Sequence, residues 1–306
     1  MSLILSTSWN AFRHTDGFSL INEIKDLGFD SVELSFNLTS TMVDSVEKLV
    51  KGSSVRVASL HNCCPIPAEV ARAEALPDYY SMSSGDEAQR RRAIELAKAT
   101  IDTAVRLNAD AVVLHCGRVE IPDRTPDLVA LFNKGERHSA DFAYLRENII
   151  LERESAKKPF LENTLSSLGE LNSYASKRKI KLGVETRYYF REIPFFDEIG
   201  AILDEFRDSQ IHYWHDTGHA QLMANLGFVD SHEEFLKHYG SRMMGVHLHD
   251  ITGCSDHQPP GTGELDFSII KPYVSESTLT VIEAHQPASG SQLIKAREFL
   301  QKLFNG

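Results

Sequence analysis

The 306-residue sequence has few cysteines, no long apolar run and no excess of basic residues. Its four cysteines form no C-x-x-C pair and suggest no disulfide framework, so we expect a reducing, cytoplasmic location. No stretch approaches the roughly 18 apolar residues that a membrane-spanning helix needs, and the first residues lack the basic start of a secretory signal. The formal net charge of −11 argues against a protein that binds long DNA or RNA through a basic surface, but leaves small phosphorylated ligands open.

Short apolar runs alternate with segments of helical periodicity along the whole chain. In the first unit, residues 18–27 keep helical spacing and Gly28 marks the end of the helix. Strand, helix and strand in this order are typical of parallel strands joined by helical crossovers. Eight such units predict an α/β fold, a single (β/α)8 TIM barrel over residues 1–306. Long insertions follow the third strand (62–92) and the fourth strand (117–163), and both are candidate lids over the barrel mouth.

Carboxylates and imidazoles stand at the ends of the apolar runs. In a TIM barrel the C-terminal ends of the strands form the catalytic face, so we expect these side chains to converge there. Histidine and carboxylate together are the ligands that zinc, manganese or iron prefers. The side chains concerned are His61, His115, Glu185, Asp216, His219, His247 and Glu283.

This arrangement resembles the xylose-isomerase-like barrels, which include sugar isomerases and epimerases, inosose dehydratases and the apurinic endonuclease IV group. The resemblance covers the whole chain and is strongest from Glu185 to Glu283. It implies that Glu185, Asp216, His247 and Glu283 bind a shared divalent metal. The family's D-x-x-H motif matches Asp216 and His219.

Further histidines resemble those of the endonuclease IV-type members. Such members add histidines on strands three and four, matched here by His61 and His115. The segment SDHQPPGTGELDF resembles the family's histidine followed by a G-x-G turn, which makes His257 a further ligand or substrate contact. Those members also carry an aspartate two residues before this histidine, whereas this chain has Ser255 there and Asp256 one place later. The resemblance implies one to three ions, with zinc, manganese and iron as candidates.

Four residues are predicted to contact the substrate. Arg187 and Arg118 are the candidates for binding a phosphate, with an ordinary surface ion pair as the alternative for Arg118. His249 lies two positions after a predicted ligand and shares its face of the strand. Glu33, at the end of the second strand, either orients the substrate or forms a salt bridge.

The number of histidines at the strand ends favours hydrolysis of a phosphoester. A site with two or three metals can share a bridging carboxylate, for which Glu185 is the natural choice, and a metal-activated hydroxide attacks phosphorus in line. The acidic chain favours a small sugar-phosphate-containing metabolite as the substrate. The segments ETRYYFREIP and YWHDTGHA resemble a branch of cobamide-remodelling enzymes that cleave the nucleotide-loop phosphodiester of corrinoids, which makes this bond a specific candidate.

Two alternatives remain open. In a sugar or sugar-phosphate isomerase or epimerase, one metal would hold two adjacent sugar oxygens, and Glu185 and Glu283 would remove and return a proton as the acid/base pair. The third reading is a metal-binding barrel without catalysis. The oligomeric state is not predicted.

Overall fold

The computed structural model describes residues 2–52 and 55–305. Eight parallel strands close into a barrel, and each pairs with two neighbours in the order β1-β2-β3-β4-β5-β6-β7-β10 and back to β1. The strands are β1 (Leu3–Ser6), β2 (Ser31–Leu34), β3 (Arg56–His61), β4 (Ala111–Leu114), β5 (Lys181–Glu185), β6 (Ile211–Asp216), β7 (Met243–Leu248) and β10 (Leu279–Ile282). The predicted fold class is confirmed.

Helices on the outside connect the strands. They are α1 (Gly17–Asp26), α2 (Ser40–Val50), α3 (Glu87–Arg106), α4 (Thr125–Asn133), α5 (Ala140–Ser176), α6 (Phe196–Glu205), α7 (Thr217–Asn225), α8 (Glu233–Tyr239) and α9 (Gly290–Asn305). Their apolar faces pack on the outer surface of the barrel in one large core. Among the helices described, none is long and apolar enough to cross a membrane.

Trp214 fills the interior of the barrel. Its indole is fully buried among small and branched side chains that point inward from other strands. Glycines on the neighbouring strands make room for it, because a Cβ at Gly183 would lie 2.7 Å and one at Gly245 2.2 Å from the indole. The interior is therefore a packed core and not a channel.

Three connections at the mouth are long. Residues 62–86 follow β3 and are mostly irregular, and α4 with α5 follows β4. The 37-residue helix α5 begins inside the insertion predicted after the fourth strand and passes through Pro159. The third connection follows β7 and was not predicted as an insertion; it contains an antiparallel hairpin, β8 (Asp250–Thr252) and β9 (Ser255–Gln258).

Candidate metal centre

Four predicted ligands meet at the mouth of the barrel. Glu185, Asp216 and His247 lie at the ends of β5, β6 and β7, and Glu283 follows the last residue of β10. The Nδ1 atom of His247 is 2.5 Å from Oε1 of Glu185, 2.9 Å from Oε2 of Glu283 and 3.7 Å from Oδ2 of Asp216. One ligand atom from each residue lies within 4.8 Å of the others, and all four side chains are buried. These positions suit a single divalent ion.

Glu33 lies behind this group and not in the cavity. Its Oε1 is 3.0 Å from Nε2 of His247, and its Oε2 accepts a hydrogen bond from Ser59 Oγ at 2.7 Å. The Glu33 side chain is fully buried and forms an ion pair with His247, which is the alternative to a substrate contact that the sequence left open. A carboxylate on the far nitrogen of an imidazole fixes the ring and its tautomer, and here it directs Nδ1 towards the three other ligands.

A second group shares Glu185. Its Oε2 atom is 2.9 Å from Nε2 of His115 and 3.7 Å from Nε2 of His61. The three side chains offer ligand atoms within 4.8 Å of one another. Burial and the nearby Arg187 guanidinium lower the pKa of His115 to about 3, so this imidazole is neutral, the form that binds a metal. Glu185 therefore faces one ligand group with each carboxylate oxygen.

The D-x-x-H spacing follows from helix capping. Asp216 ends β6 and is also the N-cap of α7, where its Oδ1 accepts the backbone N–H of His219 at 2.8 Å. This cap places His219 in the first turn, with the side chain at the mouth. The carbonyl of Thr186 lies 3.0 Å from Nδ1 of His219, which leaves Nε2 directed at the cavity.

A third group forms around Asp256. Its Oδ2 is 2.9 Å from Nδ1 of His257 and 3.6 Å from Nε2 of His219. Burial lowers the pKa of His257, but the Asp256 carboxylate more than offsets this and raises it to about 9. Asp256, which stands one place later than the aspartate of the endonuclease IV-type members, therefore lies beside both His257 and His219. The register of the β8–β9 hairpin, in which His257 has φ 53°, accounts for its position.

His249 supports a ligand and does not face the cavity. Its Nδ1 accepts the backbone N–H of His257 at 2.9 Å, so its Nε2 carries the proton of the neutral ring and donates to the Asp216 carboxylate at 2.9 Å. The ring lies directly under the first turn of α7, where a Cβ at Gly218 would come within 2.2 Å of it. His249 is fully buried, and its substrate contact stays a prediction.

The two arginines differ. Arg187 lines the cavity, where its Nη1 contacts Oε2 of Glu185 and its Nη2 contacts Oε1 of Glu192 at 3.2 Å. Arg118 lies outside the residues that line the cavity and pairs with Asp78 at 3.0 Å, which is the ion-pair alternative. Of the two, Arg187 is the one that lines the cavity, and the phosphate contact of either arginine stays a prediction.

A family model described as xylose isomerase-like TIM barrel matches residues 21–302. The chain belongs to this family. An uncharacterised protein of Methanocaldococcus jannaschii is 23% identical over 224 residues, which span 72% of this chain and 65% of the relative. An L-ribulose 3-epimerase structure aligns with a TM-score of 0.70 at 16% identity, covering 100% of this chain and 95% of that one. The IOLI protein, solved with a zinc atom, aligns at 0.67 and 14% identity, covering 100% and 98%. At these identities the two structures show that the fold is shared.

The charges in this xylose isomerase-like barrel fit the binding of cations. Glu185, Asp216 and Glu283 are at most 5% exposed, and ionised carboxylates removed from water require a compensating positive charge. Burial raises the pKa of Glu185, but hydrogen bonds from His115 and His247 outweigh it and hold this pKa well below its usual value. In spite of burial, neighbouring histidines likewise lower the pKa of Asp216 and of Glu283, so all three carboxylates are ionised near neutral pH, and Arg187 contacts Glu185.

The ligand groups border a cavity of about 400 Å³. Several residues in its walls were not predicted from the sequence: Phe36, Pro77, Tyr188, Tyr189, Asp256 and His285. In the segment V-I-E-A-H, His285 lies two residues after the predicted ligand Glu283, and this spacing is the feature of the sequence that could have indicated a residue at the cavity. For the two tyrosines the indication was weaker: they directly follow Arg187, just beyond the end of β5. Phe36 and Pro77 had no comparable signal, because their loops are irregular.

Proposed function

We propose that this chain is a divalent-metal-dependent hydrolase of a phosphodiester in a small, sugar-phosphate-containing metabolite. The observation that carries the proposal is the environment of Glu185. One of its oxygens faces His247, and the other faces His61, His115 and the Arg187 guanidinium, so each oxygen has its own set of partners, as a carboxylate shared between two metal positions requires. An epimerase with a single metal has no need for the two additional histidines.

The residues divide into positioning and binding roles. His247 and Asp216 are held by Glu33 and His249, so the first cation position is fixed before any ligand arrives. Divalent cations bound in such a site polarise the phosphoryl oxygens and acidify a water molecule. Arg187 presents a buried guanidinium at the same wall, suited to a non-bridging phosphate oxygen.

The size of the cavity restricts the substrate. A volume of about 400 Å³ accepts a small molecule or one part of a larger one. The net charge of −11 opposes binding of a long polyanion. Within this class, the nucleotide-loop phosphodiester of a cobamide is our specific candidate, on the resemblance of residues 185–194 to the enzymes that cleave it.

A sugar epimerase is the second candidate, because solved neighbours of this fold carry that name. One geometric observation favours it. Glu185 and Glu283 both approach Nδ1 of His247, at 2.5 and 2.9 Å, so a sugar bound between them would have a carboxylate at two sides. In that case Glu185 and Glu283 would act as the acid/base pair.

Metal content and two activity assays separate these functions. We expect the purified wild type to bind at least two equivalents of Zn²⁺ or Mn²⁺ and to hydrolyse bis(4-nitrophenyl) phosphate. The double variant His61→Ala/His115→Ala should lose about one equivalent and most of the hydrolysis. The variant His238→Ala is the matched control, because this histidine lies on the exposed surface of α8.

The opposite results are equally distinct. The epimerase would be supported and the hydrolase refuted by three results together. These are one bound ion in the wild type, exchange of a sugar C–H proton for deuterium with D-allulose, and full retention of that exchange in His61→Ala/His115→Ala. Bound ions with neither activity would support the metal-binding barrel without catalysis.

A further inference from the structure

Apolar residues form one side of the metal cavity. Phe36 comes from the loop after β2, Pro77 from the loop after β3, and Tyr188 and Tyr189 from the loop after β5. We call these four residues the apolar wall. They border the same space as His61, His115 and His219, yet none of them is charged near neutral pH, because burial raises the pKa of both tyrosines.

The rings of the apolar wall contact imidazoles of the metal groups on two sides. The Phe36 ring packs edge-on against His61 with centroids 5.7 Å apart, and Tyr188 packs edge-on against His219 at 5.7 Å. Tyr188 in turn packs against Tyr189 at 4.8 Å. A group bound at the metals therefore has an aromatic ring beside it.

Part of this wall is exposed where a purely structural cluster would be buried. Tyr189, which lines the cavity, is 39% exposed. Tyr188, by contrast, is anchored, because its hydroxyl donates to the carbonyl of Cys254 at 3.4 Å. Large apolar side chains gathered at the rim of a cavity mark a surface that a ligand covers.

We propose that the apolar wall is a subsite for a planar ring carried by the substrate, and that Tyr189 is its specificity-determining residue. The inference rests on the proposed function, since it places the ring next to a phosphoryl group bound at the metals. It names the substrate class more closely: a phosphoester in which an aromatic or heteroaromatic ring lies within a few bonds of phosphorus. Stacking on a tyrosine recognises any flat ring and needs no hydrogen-bond match.

Two phosphonates test the subsite without turnover. Phenylphosphonate and methylphosphonate offer the same oxygens to the metals and Arg187 but differ in the ring, and titration calorimetry on the Zn²⁺-loaded protein gives both dissociation constants. We expect the wild type to bind phenylphosphonate about tenfold more tightly. Tyr189→Ala should bring this ratio close to one and leave the methylphosphonate constant unchanged. Tyr189→Phe should keep the ratio, because the ring face is retained.

The control is Tyr144→Ala, a tyrosine on α5 that is 72% exposed and absent from the cavity lining; it should leave both constants unchanged. Equal binding of the two phosphonates to the wild type would overturn the subsite and leave the hydrolase proposal standing. Failure of both to bind the metal-loaded protein would count against the phosphoester function itself. A ratio that persists in Tyr189→Ala would refute the role of this residue.

Discussion

Replacing Glu33 with glutamine tests how the metal-binding histidine is held. Glu33 is fully buried, with one oxygen 3.0 Å from Nε2 of His247 and the other 2.7 Å from Oγ of Ser59. Glutamine preserves the shape and one carbonyl acceptor but removes the charge, which makes Nδ1 of His247 a weaker donor to a cation. Loss of such a supporting partner typically weakens metal binding about 10- to 100-fold, or about 1.4 to 2.7 kcal/mol. We expect the lower end of this range, because the hydrogen bond survives.

The assay is competition for Zn²⁺ against a chelator of known affinity, with the phosphonate dissociation constants measured on the fully loaded variant. Glu87→Gln is the control, since that side chain is 75% exposed on α3. The reasoning fails if Glu33→Gln binds metal as tightly as the wild type and loses phosphonate affinity instead. That result would return Glu33 to the substrate-contact role that the sequence suggested.

Three further predictions concern the scaffold. Gly245→Ala should lower the free energy of unfolding by about 1–3 kcal/mol in urea titrations, because the new Cβ would lie 2.2 Å from the Trp214 ring. Arg153→Met should cost about 3–5 kcal/mol in the same assay, since it leaves the buried Glu198 carboxylate without its partners at 2.7 and 2.8 Å, and adding Glu198→Gln should recover part of it. Burial lowers the pKa of His232 to about 4 from its usual 6.5, so the unfolded chain takes up the proton first. The free energy of unfolding is therefore unaffected by this group above pH 6.5 and falls by about 3 kcal/mol as the pH is lowered from 6.5 to 4. His232→Gln should reduce this fall in the metal-free protein.

Each of these has a control or a contrary outcome. Gly85→Ala should be neutral, because its Cβ would meet no atom within 4 Å. Arg207→Ala, at a side chain that is 72% exposed, should change stability by less than about 0.5 kcal/mol. If His232→Gln keeps the full wild-type loss of stability between pH 6.5 and 4, other groups carry that dependence.

The fold was predictable because its signals are local. Alternation of apolar runs with helical periodicity, and glycines at helix ends, identified the barrel without long-range information. The positions of Glu185, Asp216, His247 and Glu283 at the strand ends followed from the same alternation, since parallel strands bring their carboxyl ends to one face. The roles of these side chains remain predictions.

The roles of Glu33, His249 and Arg118 could not be read from the sequence. A residue at a strand end can face the cavity or a neighbouring ligand, and strand parity does not separate the two when the backbone turns beyond the strand. His249 lies one residue past the end of β7, where its ring turns under α7 and towards Asp216. The loops that carry Arg118 and its partner Asp78 are irregular, so their pairing depends on tertiary contacts.

The loop after β7 shows how a long-range polar contact sets a local position. Asp250 accepts the backbone N–H groups of Gly261, Gly263 and Leu265 at 2.8–3.0 Å, which folds the G-T-G turn back onto the start of the hairpin. The hairpin is thereby fixed relative to β7, and His257 is held at the mouth. Asp250, which is not one of the candidate ligands, thus organises the loop that carries the candidate ligand His257.

The two candidate chemistries place opposite demands on Glu185, and this is where they can be separated physically. A general base needs a pKa close to the working pH and a free oxygen directed at the substrate. Here Oε1 meets Nδ1 of His247 at 2.5 Å, while Oε2 meets His115 at 2.9 Å and the Arg187 guanidinium, and this environment holds the pKa of Glu185 well below its usual value in spite of burial. Both features make Glu185 a weak base and a good shared ligand. Glu185→Gln should therefore lower the number of bound ions and not only the rate, whereas in an epimerase with one metal it would abolish proton exchange and leave the count of ions at one.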